Sequence, residues 1–84
     1  NMNTPNNLST FSTDNFALAC FLASESVPLI TLDKTNPKRV LFIFQESEQR
    51  KILTQKFLAY EALVEPNRFY SSSKNLKQMI YQNK

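Results

Sequence analysis

The chain has 84 residues, 42% of them hydrophobic and 20% charged, with a net charge of +3. That describes one globular domain, too short to divide into two and too apolar to be disordered throughout. A single cysteine excludes an internal disulfide framework, and no run reaches the roughly 18–20 apolar residues of a membrane-spanning helix.

Residues 1–10, "NMNTPNNLST", are polar and Asn-rich and read as a flexible tail. No cation followed by an apolar stretch occurs there, so no signal peptide is expected. With one unpaired cysteine, a reducing cytoplasm is the expected setting. Residues 11–84 read as the single domain.

"FSTDNFALACFLASES" opens that domain. Ser12 suits an N-cap, Asp14 suits the first turn beside the positive end of the helix dipole, and Phe11 and Phe16 have the spacing of a hydrophobic staple. A helix is predicted from about Thr13 to Ser24. Its body is apolar around the whole circumference, as expected for a helix buried on more than one side.

"PLITLD" and "RVLFIF" read as two strands of an antiparallel hairpin, joined through "KTNPK". Alternation places Val40, Phe42 and Phe44 on one face of the second strand, with Leu41 and Ile43 on the other. Both faces are therefore apolar. "ESEQRKILTQKFLAYEALV" follows, with acids first and cations later, and predicts a helix from about Ser47 to Ala62. Leu53, Phe57 and Tyr60 should face the core and Leu58 the polar side. A short extra strand near Ala62 to Val64 is also compatible with the sequence.

Pro66 stands at a helix N1 position, and "NRFYSSSKNLKQMIYQ" can continue from it. If that helix is unbroken, Phe69, Ser73, Leu76 and Ile80 form an apolar stripe. Tyr70, Lys74, Lys77 and Tyr81 then share a separate face. A new cap at Ser71 or Ser72 would instead scramble this register.

Two absences limit the chemistry: the chain has no glycine and no histidine. A P-loop or dinucleotide fingerprint needs glycine where backbone approaches phosphate. Histidine is the commonest general base and metal ligand. The seven acids are scattered. An enzyme is not expected, nor are a metal site, a cofactor or a catalytic residue.

The first 30 residues carry only Asp14 and Glu25, whereas residues 66–84 carry Arg68, Lys74, Lys77 and Lys84 with no acid. Lysines interleaved with Tyr70 and Tyr81 suit a nucleic-acid surface, because cations meet phosphates and phenol rings stack on bases. Arg68, Tyr70, Lys74, Lys77 and Tyr81 are the candidate residues, with Lys38 and Arg39 joining them if the hairpin end lies near the last helix. The same residues also read, and more simply, as a solvated face whose lysine stems cover apolar surface. Cys20, apolar on all sides, reads as an inert core thiol.

The pattern as a whole resembles a family of short bacterial and phage proteins catalogued as a domain of unknown function. The resemblance runs from about Phe11 to Tyr81. It rests on Phe11-Ser12-Thr13-Asp14, "VLFIF", Phe57 and Tyr60, Val64-Glu65-Pro66, Phe69, Leu76-Lys77 and Ile80-Tyr81. It implies a fold and a mobile-element setting, but no activity. Family members carry glycine after the first helix and near the end of the second, where this chain has Ser24-Glu25-Ser26 and Glu61-Ala62-Leu63.

The expected fold is α+β, in the order helix, strand, strand, helix, helix. The expected function is a small non-enzymatic accessory or regulatory module, leaning towards nucleic acid through its basic last helix. The alternative is a protein-binding adaptor or inhibitor using the apolar sheet face. Val40, Phe42, Phe44 and Phe21 are the candidate interface, buried by a second helix layer, a second copy of the chain or a protein partner. No membrane partner is expected.

Overall fold

The computed structural model describes residues 9–82. Its elements are β1 (Thr10–Thr13), α1 (Phe16–Ser24), β2 (Leu29–Asp33), β3 (Leu41–Gln45), α2 (Glu48–Leu58) and α3 (Pro66–Tyr81). The α+β class is as expected, and the order gains a strand at its start. Of the expected tail, residues 1–8 lie outside the described residues, and Thr10 already belongs to β1.

The first correction is at Ser12. It lies in an edge strand rather than capping a helix, and Phe11 pairs with Phe44 across an antiparallel ladder. The "TFST" stretch is β-branched and aromatic, so it fits a pleated edge, and β3 offers it unpaired backbone groups. The helix starts three residues later than predicted. Asn15 Oδ1 accepts the Leu18 N–H at 3.0 Å, and Thr13 Oγ1 accepts the Asn15 N–H at 3.0 Å. Asp14 lies just outside α1, free to pair with another element.

The sheet order is β1-β3-β2, so β3 is the central strand. β2 pairs antiparallel with β3, and the register shifts between Leu29 and Thr31. Strict alternation would put Leu29 and Leu32 on opposite faces. The extra residue, Ile30, lets both turn inward, opposite Phe44 and Phe42.

The core answers the question of the two apolar faces. Phe42 and Phe44 are 2% and 0% exposed and pack with Leu18, Cys20, Phe21 and Leu22 of α1. Leu41 and Ile43 neither join this cluster nor pack against it. The molecule is only 18 Å across its thinnest dimension. That accommodates the sheet and one helix layer, since a helix with its side chains is about 10–12 Å wide. Among the described residues, therefore, the helices cover one sheet face. α1 touches both α2 and α3, which explains why it is apolar all round.

Phe21, Phe42 and Phe44 are thus internal and Val40 packs against their cluster, so these four do not form a free interface. The sheet face left open carries half-buried Leu41 and Ile43, paired with Ser12, Thr31 and Asp33 of the flanking strands, while Ile30 at the bulge of β2 is 53% exposed.

Both helix ends that lead into loops are closed without glycine. After α1, Val27 N–H donates to Leu22 O and Ser26 N–H to Ala23 O, each at 3.0 Å. After α2, Glu61 N–H donates to Lys56 O at 2.9 Å and Tyr60 N–H to Phe57 O at 3.2 Å. These are two Schellman motifs. Their left-handed positions are Ser26, with φ 70°, and Tyr60, with φ 62°. That turn ends α2 at Leu58, earlier than predicted, and throws Tyr60 out of the helical register. Expected in the core, Tyr60 is 98% exposed. Residues Ala62 to Val64 form no strand.

Candidate nucleic-acid interface

α3 is continuous through Ser71–Ser73, so the register behind the candidate face holds. Pro66 occupies its first turn, and the Glu65 side chain accepts the Arg68 N–H at 2.9 Å, capping the start. Phe69, Leu76 and Ile80 turn to the core. Tyr70, Lys74, Lys77 and Tyr81 are all exposed on the neighbouring flank. Lys74 Nζ lies 5.5 Å from the centroid of the Tyr70 ring, within cation–π range.

Arg68 does not belong with them. At about 100° per residue it lies about 160° around the helix from Tyr70. Its Nη2 faces Glu25 Oε2 at 3.5 Å, beside the end of α1. Its charge is partly matched there, and it stands at the opposite end of α3 from Tyr81.

The tertiary fold replaces Arg68 with cations from the hairpin. The loop between β2 and β3 folds back on the last turns of α3, where Lys34 Nζ donates to Gln82 O at 3.0 Å. A cleft of about 340 Å³ opens between the loop, the start of α1 and α3. Phe16, Val40, Phe42 and Ile80 supply its apolar walls. Lys38, Arg39 and Lys77 supply its cations, and Tyr81 stands at its edge, 79% exposed. Lys77 Nζ lies 6.0 Å from the Phe16 ring centroid, so the ammonium hangs over the aromatic wall.

One acid enters the cleft. Arg39 Nε donates to Asp14 Oδ2 at 2.7 Å. That hydrogen bond, with the guanidinium charge, holds the Asp14 carboxyl below its ordinary value. Lys38 and Lys77 have no carboxylate within salt-bridge distance among the described residues.

Behind the cleft wall, Cys20 is buried and unpaired with another cysteine. Burial pushes its thiol up, against the pull of the Lys77 ammonium. A thiol so placed is a poor nucleophile. Among the described residues no three of His, Cys, Asp and Glu gather as metal ligands, and no helix is long and apolar enough to cross a membrane.

Arg50 is the residue whose role the sequence concealed. It is 8% exposed, in the first turn of α2. Its Nε donates to Glu46 Oε1 at 2.7 Å and its Nη1 to Thr54 Oγ1 at 3.2 Å. A second branch reaches Glu46 Oε2 at 2.5 Å, and the guanidinium carbon sits 3.8 Å from the centroid of Phe11. The Arg50 hydrogen bond is the main reason the Glu46 carboxyl lies below its ordinary value. This cluster ties α2 to the edge strand and plays no part in the cleft. Its only sequence signal is the i, i+4 spacing of Glu46 and Arg50.

No curated protein and no solved structure matches the chain. A family model described as a domain of unknown function, DUF5659, matches residues 8–82. That span includes every described element, and the chain belongs to the DUF5659 family.

Proposed function

We propose that the protein is a non-enzymatic accessory or regulatory module that binds nucleic acid through the exposed flank of α3 and the hairpin loop beside it. The reading rests on one juxtaposition: Lys38 and Arg39 lie across a single cleft from Lys77 and Tyr81. Cations from two elements widen the footprint beyond what four residues of one helix provide. Phosphates are met by lysine, and the exposed rings of Tyr70 and Tyr81 offer stacking faces. Its setting would be the cytoplasm, on a phage or other mobile element, as the family resemblance suggests.

Titration of DNA and RNA against the wild type and a Lys74→Glu/Lys77→Glu variant tests it at low and moderate salt. The wild type should bind with an affinity that falls as salt rises, with a log–log slope of about −2 for three phosphate contacts to a single strand. The variant should bind more weakly and with a flatter slope. Equal binding by both proteins sinks the proposal, as does binding that ignores salt.

A second reading is favoured by the outer sheet face. Ile30, Leu41 and Ile43 remain outside the core cluster, and an apolar patch of that kind is commonly covered by a partner. Self-association through this face, or docking of a partner protein there, would leave the cleft free. The two readings use opposite sides of the sheet and can hold together.

A further inference from the structure

The cleft differs from a plain cationic surface in having an apolar interior. A duplex keeps its bases stacked inward and offers protein mainly its phosphates and groove edges. A flat ridge of lysines would serve it, and the apolar walls behind Lys77 would have no use. Extracting a base from a duplex costs a few kcal/mol of unstacking and unpairing, a cost that a single strand largely escapes.

We infer that the cleft takes an unstacked base of a single-stranded nucleic acid, with Tyr81 stacking on a base and Lys38 and Lys77 meeting the flanking phosphates. This rests on the nucleic-acid reading above and narrows it to single strands. Volume, wall chemistry and charge agree. About 340 Å³ is at the small end of ligand clefts. The Phe16, Val40 and Ile80 side chains bring no hydrogen-bonding groups to a base edge. Lys38 and Lys77 stand at the cleft with the phenol. Stacking of this kind is tolerant of sequence, because every base has a π-face.

The test is fluorescence anisotropy with labelled oligothymidylate and oligouridylate of about 12 nucleotides, and a duplex of the same length. The full chain is used, at low and moderate salt. The single strands should bind about tenfold more tightly than the duplex. Tyr81→Ala should weaken single-strand binding about tenfold without changing the salt slope, which is the signature of lost stacking rather than lost charge. Tyr81→Phe should keep wild-type affinity, since the ring and not the hydroxyl does the stacking. Lys38→Glu and Lys77→Glu should each weaken binding and flatten the slope by about 0.7 or more. Tyr81 and both lysines are exposed, and circular dichroism with a thermal melt confirms that each variant folds. Duplex binding as tight as single-strand binding overturns the inference, and so does Tyr81→Ala binding within twofold of wild type. If the duplex binds and Lys74→Glu/Lys77→Glu abolishes it, the broader function stands and only the single-strand inference fails. Absence of binding to all three probes overturns both.

Discussion

Arg39 reaches back across 25 positions to place its Nε 2.7 Å from Asp14 Oδ2. The pair fastens the hairpin loop to the residue before the N-cap of α1, and it does so inside the basic cleft. The Arg39 and Asp14 side chains are 63% and 49% exposed, so the contact adds little stability. Its larger effect is on the charge the cleft presents, because Asp14 cancels Arg39. Asp14→Asn should release the guanidinium and tighten nucleic-acid binding about threefold at low salt, with a salt slope steeper by about 0.7. Anisotropy titrations at two salt concentrations measure both quantities.

Glu46 and Arg50 should contribute to the acid side of the stability curve, beside the lowered carboxyls of Asp14 and Asp33. The folded Glu46 carboxyl lies below its ordinary value of 4.5, because it accepts from Arg50. A depressed folded pKa adds stability above the unfolded value, and that stability is lost as pH falls through the folded value. The urea midpoint should therefore fall below about pH 4.5 in the wild type and fall less steeply in Glu46→Gln. At neutral pH, Arg50→Ala should cost about 2–3 kcal/mol, because it strands Glu46 and removes the cover from Phe11.

Ser26 and Tyr60 occupy left-handed backbone that disfavours any residue with a Cβ. Ser26→Gly and Tyr60→Gly should each stabilise the fold by about 0.5–1 kcal/mol, read as a shift in the urea midpoint with an unchanged m-value. Tyr60 is nearly fully exposed, so its removal forfeits little packing. Ser26→Val should act in the opposite direction, since a β-branched residue is worst in that region.

Phe42 and Ile43 are neighbours on β3 with opposite fates. Phe42→Lys should unfold the protein, because it places an unpaired charge in the core. Ile43→Lys should leave it folded. Sedimentation of the wild type at micromolar concentration should show self-association through the outer face, and Ile43→Lys should abolish it. A wild type that sediments as a clean monomer removes this proposal.

Much of the fold was legible because burial leaves a periodic trace. The girth of α1 announces burial on several sides and the stripe Phe69–Leu76–Ile80 a single inward face, whereas the alternation in β3 separates Phe42 and Phe44 from Leu41 and Ile43 without saying which pair is covered. Two misreadings and one unforeseen register have specific causes. "FSTD" carries a cap signal at Ser12, but the open edge of β3 claims it as a strand. Tyr60 follows Phe57 at helical spacing, yet a left-handed turn comes between them. Leu29 and Leu32 share a face only because Ile30 bulges. In each case a tertiary hydrogen bond or a single dihedral overrides the local pattern, and neither is written in side-chain spacing.

For the candidate site the division is similar. The sequence by itself put Tyr70, Lys74, Lys77 and Tyr81 on one flank of an unbroken last helix at 3.6 residues per turn, and the structure decided that α3 runs unbroken through Ser71–Ser73. The sequence also determined that chemistry resting on glycine or histidine is closed to this chain. Only the tertiary structure decided that Arg68 points elsewhere, that Lys38 and Arg39 take its place, and that Phe16 walls the space between. The reason is range. Helical periodicity binds residues a few positions apart, whereas Asp14, Arg39 and Lys77 become neighbours only when the hairpin folds against the end of α3.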